Sequence, residues 1–384
     1  MVMIRVLRKL FSWAAGSFAL SLAAFANAEP APASDPAPSE AAVAAPEASA
    51  GSHRDPSSRA WLTPQFAVMG RAYVQYQLGN PQNAERRDAG EPRELVWDSL
   101  RVGADARQGI WRAELELELL ERSLTLVDGR IEERTHPAYR DAWIQLEPWR
   151  ALRLRVGNMK KPVSRLRLES RAQLPGISRG IVVGELVDDL GYGGRDLGVT
   201  VGGRVGHRLR LKYAAGVFEG TSRRRVGEDF AGDFAGRLEV DWRKLASVGL
   251  DLSHRNRDAA AGVRQSGTLL GADLELRLWH FHAVVEGHMG QDPSLASGPT
   301  TGGLIGQVSR KFDLSRCLEL EPVLGSEVYY VPNDRLDLRI LRQYGGVNLH
   351  FGKHARLMLQ GEQTARPNLS EPDRALVFQV AIEE

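Results

Sequence analysis

From Pro64 onward the chain alternates between apolar and polar positions with a period of two. Phe66, Val68, Gly70, Ala72, Val74, Tyr76 and Leu78 share one parity, and Gln65, Arg71, Gln75 and Gln77 share the other. Ala113, Leu115, Leu117 and Leu119 alternate with Arg112, Glu114, Glu116 and Glu118. The same pattern returns at Leu209–Val217, Phe234–Trp242 and Leu274–Leu278. Period two places one side-chain set on each face of a β-strand, whereas a helix would repeat near 3.6. The pattern predicts about sixteen strands, near 64–78, 93–107, 109–121, 138–148, 151–160, 195–205, 207–219, 232–242, 246–255, 266–279, 280–290, 302–313, 317–331, 339–352, 354–365 and 374–383. In the last of these, Phe378, Val380 and Ile382 hold the apolar parity.

The connections alternate in length. Short turns fall around Gln108, Trp149, Gly206, Lys244, His280, Ser315 and Lys353. Long polar loops fall at 79–92, 122–137, 161–194, 220–231, 256–265, 291–301, 332–338 and 366–373. This is the rhythm of an outer-membrane barrel, with tight periplasmic turns and longer outer loops. A soluble sandwich or propeller would bury its inner faces in an apolar core, but here one face is densely charged in strand after strand. The expected fold is therefore all-β, an antiparallel up-and-down transmembrane β-barrel of about 16 strands. That strand number is wide enough for an aqueous channel.

The N-terminus has the form of an export signal. Arg5, Arg8 and Lys9 precede the apolar run Leu10–Phe25, and Ala26-Asn27-Ala28 fits a cleavage site. Residues 1–28 are expected to be the signal peptide, 29–60 a disordered Ala/Pro-rich periplasmic linker, and 61–384 the barrel. The repeated Ala, Pro and Ser of the linker cannot bury enough apolar surface to offset its ordering entropy. The expected location is the bacterial outer membrane.

Composition removes other classes. There is one cysteine, Cys317, so neither a disulfide scaffold nor a cysteine-ligated zinc site is available. All but seven of the 50 basic residues are arginine. Yet with Arg5, Arg8 and Lys9 cleaved away, the basic residues no longer outnumber the 48 acidic ones. Net charge therefore gives no reason to expect an anionic partner, nucleic acid included. The local balance fails in the third long loop, Lys161 to Gly194. Lys160, Lys161, Arg165, Arg167, Arg171 and Arg179 face only Glu169 in its first half, while Glu185, Asp188 and Asp189 lie in its second. The loop also carries Leu166, Leu168, Leu174, Ile177, Ile181, Val182 and Val183, which need something to pack against. A loop this long in a compact domain is usually functional. An inward fold into the lumen would bury those side chains and bring guanidinium groups to the solute path.

Four motifs carry a resemblance. They are Gly157 to Pro162 at a strand end, Arg195-Asp196-Leu197-Gly198 at a strand start, Tyr213 to Gly220 (YAAGVFEG), and Gly236-Arg237-Leu238. In this order they resemble the phosphate-selective porin O and P family, from about Leu95 to the C-terminus. The resemblance implies a sixteen-stranded outer-membrane porin, a homotrimer, with basic residues on an inward-folded third loop. Where the family often has Pro-Phe-Gly after the lysine, this chain has Pro162-Val163-Ser164.

Arginine suits oxyanions because its planar fork bonds them bidentately and stays charged. The candidate anion-binding constriction is Lys160, Lys161, Arg165, Arg167, Arg171, Arg179 and Arg195. Arg71, Arg101, Arg153, Arg155, Arg210, Lys212 and Arg237 have inward parity on the wall. For these, cross-strand pairing with Asp105, Glu114, Asp141 or Glu239 is the simpler expectation. His280, His282 and His288 share a face beside Glu286, and a solvated cluster near a turn is expected ahead of a metal site. Ser164, Ser170 and Ser178 lack any nucleophile motif, so no enzyme and no cofactor are expected. Two functions remain open: a passive channel for small hydrophilic solutes that prefers anions, phosphate among them, or a non-conducting structural barrel. The expected partners are small anions, outer-membrane lipid and lipopolysaccharide.

Overall fold

The computed structural model describes residues 64–79, 93–127, 130–220, 232–258, 264–291, 300–332, 337–367 and 372–383. The expected signal peptide and linker, and parts of the long loops, lie outside these residues. The strands are β1 (Gln65–Gly79), β2 (Arg93–Gln108), β3 (Trp111–Val127), β4 (Arg130–Trp149), β5 (Leu152–Lys160), β6 (Arg195–Val205), β7 (Leu209–Phe218), β8 (Asp233–Trp242), β9 (Ala246–Asp258), β10 (Arg264–Leu278), β11 (Phe281–Gln291), β12 (Thr300–Arg310), β13 (Phe312–Ser315), β14 (Leu318–Pro332), β15 (Asp337–Phe351), β16 (Ala355–Ala365) and β17 (Asp373–Glu383). β12 and β13 both pair with β14 and form one run interrupted at Lys311, so the barrel is sixteen-stranded. Each strand pairs antiparallel with its sequence neighbours. β1 closes the ring on β17, from Arg71↔Glu383 to Gly79↔Ala375. Closure leaves no unpaired strand edge, which lipid could not solvate.

The two faces are inverted relative to a soluble protein. Val68 on the apolar parity is 84% exposed, while Glu118 on the polar parity is 1% exposed. The apolar face meets lipid and the charged face lines the interior. Exposed aromatic residues mark the short-turn end: Trp111, Trp149, Trp242, Phe281, Phe312 and Phe351. This is the belt expected where an amphipathic ring sits at the membrane–water boundary.

Three boundaries differ from the sequence reading. β3 and β4 continue past the expected limits, pairing to Val127↔Arg130, so much of the expected loop 122–137 is hairpin. On the β4 side Arg130, Glu132, Glu133 and Arg134 put charge on both parities, so no apolar face announces that strand, although Leu124 and Leu126 alternate in β3. β12 breaks at Lys311 instead of running through it. β5 is only nine residues long.

Gly157 explains how β5 ends. Its φ is +135°, and a Cβ there would stand 2.2 Å from the Ala142 carbonyl oxygen. Only glycine tolerates both conditions. Beyond it the strict alternation of exposure is lost, and Met159 and Lys160 are both shielded.

Two outcomes are expected. Detergent-folded protein should run as a faster band unboiled than boiled, because a closed barrel stays compact. A Gly157→Val variant should lose that band at a lower temperature, since the strained backbone alone costs about 1–3 kcal/mol.

Candidate functional site

Residues 161–194 link β5 to β6 and hold a short helix (Arg165–Leu168), a single 3-10 turn (Arg171–Gln173) and a π-helical run (Val182–Asp189). None of these is long enough to be stable alone. Wall side chains hold the segment instead, and they act on its backbone. The Ser164 N–H donates to Asp251 Oδ2 at 3.1 Å and the Leu166 N–H to Glu286 Oε2 at 3.0 Å. Farther along, the Ile177 N–H donates to Gln360 at 3.1 Å and the Ile181 N–H to Glu327 at 2.6 Å. Ser164 caps the short helix, accepting from the Arg167 N–H while its hydroxyl donates to Glu286. It does so at φ 65°, a strained value for a non-glycine residue.

An apolar seam supplies the second attachment. Val182, Val183, Leu186 and Val187 are fully buried and cluster with Leu269, Val284, Ile305 and Tyr329 of the wall. Gly303 makes the contact possible, since a Cβ there would lie 2.6 Å from a Val182 methyl.

The seven basic candidates separate into two groups. Four are matched to carboxylates. Lys161 is fully buried, 2.5 Å from Asp233 and 3.3 Å from Asp196. Arg165 spans Asp273 at 2.6 Å and Glu275 at 2.7 Å. Arg167 pairs with Asp188 of the same segment, and Arg195 pairs with Asp141 at 2.8 Å. Of the other three, Lys160 and Arg179 are held by backbone carbonyls. Lys160 donates to the carbonyls of Arg167 and Leu168 at 3.1 and 3.4 Å. Arg179 donates to the carbonyls of Leu166 and Glu169 at 2.9 and 3.1 Å. The Arg171 guanidinium stands 5.5 Å from the Tyr73 ring centroid.

Electrostatics follow this division. Burial alone would lower the Arg165 pKa, but Asp273, Glu239 and Glu275 hold it above its ordinary value. Burial, then the charges of Arg167 and Arg171, pull Arg179 down to about 9, so it still carries its charge at neutral pH. Burial, followed by Glu275, raises the carboxyl of Glu169. Arg167, Arg171 and Arg101 all act on Arg179, and Arg195, Arg179 and Arg167 act on Lys160. One cationic neighbourhood therefore gathers segment residues with the walls of β2, β5 and β6. On the far side, β9 to β14 present Asp251, Asp273, Glu275, Glu286 and Glu327 to the segment's other flank. A cavity of about 340 Å³ lies beside Arg165, Glu169 and Gln173, lined also by Arg210, Lys212 and Glu239.

The wall arginines mostly pair as expected. Arg101 meets Glu118 at 2.8 Å, Arg210 meets Asp241 at 2.7 Å, and Arg237 bridges Asp251 and Asp273 at 2.7 Å each. Arg155 is different: it bonds Gln145 and stacks 3.9 Å from the Trp143 ring centroid. The expected solvated histidine cluster is corrected. His288 is buried and bonded to Glu286 at 2.6 Å, His282 is bonded to Glu275 at 2.8 Å, and His280 lies in a turn. Among the described residues, no group of three ligating side chains could hold a metal ion.

The residues that sequence reasoning missed are the anchoring acids, Asp251, Asp273, Glu286 and Glu327. Their signal was present. The inward parity of β9 to β14 is acidic where the segment is basic, and a loop and a wall of opposite sign attract.

Comparison with known proteins agrees with this geometry. The family model for phosphate-selective porin O and P matches residues 106–278. No curated relative matches the chain. Among solved structures, the outer-membrane channel DcaP of Acinetobacter baumannii superposes with a TM-score of 0.59 at 12% identity, covering 84% of this chain and 98% of that one. The anion-selective porin from Comamonas acidovorans gives 0.59 at 12% identity, over 84% of this chain and 100% of that one. The trimer form of in-vitro folded OmpT of Vibrio cholerae gives 0.55 at 12% identity, over 84% and 99%. At such identity these likenesses show the fold alone.

Replacing Arg165 by Ala would remove the guanidinium shared by Asp273 and Glu275, leaving Asp273 to Arg237 and Glu275 to Arg277 and His282, a loss of about 1.5–3 kcal/mol. The variant is expected to melt at lower temperature than an Arg167→Ala variant, whose partner Asp188 is better solvated. Temperature-dependent gel mobility of the folded band distinguishes the two.

Proposed function

We propose that this chain, an outer-membrane porin by its barrel and its family match, is a passive channel in which small anions pass more readily than cations. The supporting observation is Arg179, whose guanidinium is bonded to backbone carbonyls and keeps its charge at neutral pH, with Lys160 beside it on carbonyls as well. Neutralised cations such as Lys161 and Arg165 attract nothing, because their charge is already matched. A cation held by carbonyls keeps its attraction for a passing anion, and pore-lining Arg and Lys favour anions.

In this reading the segment lies in the lumen and narrows it. Support comes from the strands it touches, β9 to β12 and β14 to β16, which reach round the ring to the side opposite its own attachment at β5 and β6. The path then runs between the segment's free flank and the wall of β1 to β6. Arg165 and Lys161 serve as anchors there, and Arg195 is balanced by Asp141. Small oxyanions, phosphate included, fit the guanidinium chemistry. The barrel supplies no energy source, so flux follows the concentration gradient. A channel, not an enzyme, is the activity we assign. The assembly we propose is a trimer, as in the trimer form of the Vibrio cholerae protein. A 1–28 export signal and a 29–60 tether complete the proposal.

Reversal potentials in a salt gradient across planar bilayers test the selectivity. One charge about 5 Å from the path attracts an anion by roughly 0.8 kcal/mol in water, about a fourfold enrichment, and repels a cation by the same amount. A Lys160→Gln/Arg179→Gln double variant is therefore expected to lose most of the anion preference while its conductance persists. Cation preference in the native protein would exclude the proposal.

The raised pKa of Glu169 adds a pH dependence. As pH falls from neutral, this carboxyl protonates before ordinary carboxylates and the segment becomes more positive. Anion preference should rise on mild acidification, and Glu169→Gln should hold the higher preference at neutral pH and flatten the change.

A further inference from the structure

The short-turn rim of the barrel carries a charge pattern that conduction does not use. Arg150, Arg208, Arg243, Lys244, Arg316 and Lys353 are exposed in these turns, and no turn residue between the strands at this end is acidic. The aromatic belt lies directly above them in the membrane. Anionic lipid attracts basic residues at a surface by about fivefold in affinity per residue.

Arg310 is where the two rings meet. It is the last residue of β12 and pairs with Phe281 across the ladder. Gln307 and Ser309 on the opposite parity are buried inside, so Arg310 points outward. Its guanidinium stands 4.8 Å from the Phe281 centroid and 4.6 Å from that of Phe312. Both rings are 37% exposed. Its Nε–H is buried with no acceptor, and no carboxylate bonds to it among the described residues. The adjacent Lys311 already holds Glu319. A fixed, unmatched guanidinium on a lipid-facing surface is costly at mid-membrane and tolerable only near the interface. There it meets the one anion abundant at that depth.

We propose that Arg310, set between Phe281 and Phe312, seats the phosphate of an anionic phospholipid in the periplasmic leaflet, and that the basic turns extend this preference around the rim. The planar fork accepts two phosphate oxygens. The rings fix the fork and cover the glycerol and upper acyl carbons, so the site selects a headgroup attached to chains rather than a soluble anion. The reading requires only that the short turns face the periplasm, and it is independent of solute selectivity.

Native mass spectrometry of the full barrel in detergent, with equal amounts of phosphatidylglycerol and phosphatidylcholine, measures it. Phosphatidylglycerol adducts should exceed phosphatidylcholine adducts by about fivefold or more. Arg310→Gln should lower them severalfold, and Arg310→Lys, which keeps the charge without the fork, should fall between. Channel conductance should be unchanged, and the unboiled gel band reports that each variant folds. If Arg310→Gln does not fold, Arg310→Lys decides. Equal adducts in the folded variants, or no preference between the two lipids, would overturn the proposal. So would displacement of the lipid by millimolar inorganic phosphate, which would make this a free-anion site.

Discussion

The carboxylates on the inner wall of β9 to β14 and the N–H groups of residues 161–194 depend on each other. The segment is too short in each of its turns to satisfy its own backbone, and the wall carries more acid than its own arginines neutralise. Glu286 takes both the Ser164 hydroxyl and the Leu166 N–H, and Glu327 takes the Ile181 N–H. Arg165 adds a guanidinium between Asp273 and Glu275. Either partner alone would hold unpaired charge or unpaired backbone at low dielectric, where each such group costs several kcal/mol. Together they place the segment against one side of the ring.

That placement decides what the remaining cations can do. Because the acids of β9 to β14 are occupied by Arg165, Arg237 and backbone N–H groups, they do not reach the segment's other flank. Lys160 and Arg179 lie on that flank, bonded to carbonyls. The same residue type thus serves two ends in one segment. An arginine against carboxylates is an anchor, and in the channel we propose an arginine against carbonyls is a source of field. The outer surface repeats the distinction at Arg310, whose neighbours are rings.

The apolar seam shows which signal in the sequence went unread. Leu269-Leu270, Val284-Val285 and Leu304-Ile305 each place two apolar residues in succession on a strand that otherwise alternates. In an aqueous lumen the inward member of each pair would be wasted. It is not, because Leu269, Val284 and Ile305 are covered by Val182, Val183 and Leu186. Doubled apolar positions in β10, β11 and β12 were thus a record of something lying on the inner face. The histidines were misjudged for a related reason: His288 has the parity of a solvated wall residue but lies under the segment, bonded to Glu286.

The sequence by itself determined the barrel. Period-two alternation fixes which face meets lipid, alternating turn lengths fix the up-and-down order, and lipid leaves no choice but closure, as the pairing of β1 with β17 records. It also determined where the charge balance fails, between Lys160 and Arg179. Only the tertiary structure decided which of those cations are spent. A guanidinium's effect depends on what stands within a few ångströms of it, and the partners of Lys161 and Arg165 are separated from them by 72 and by 108 and 110 residues. Local pattern carries the identity of a charge, whereas its compensation is a long-range contact that the closing of the ring creates.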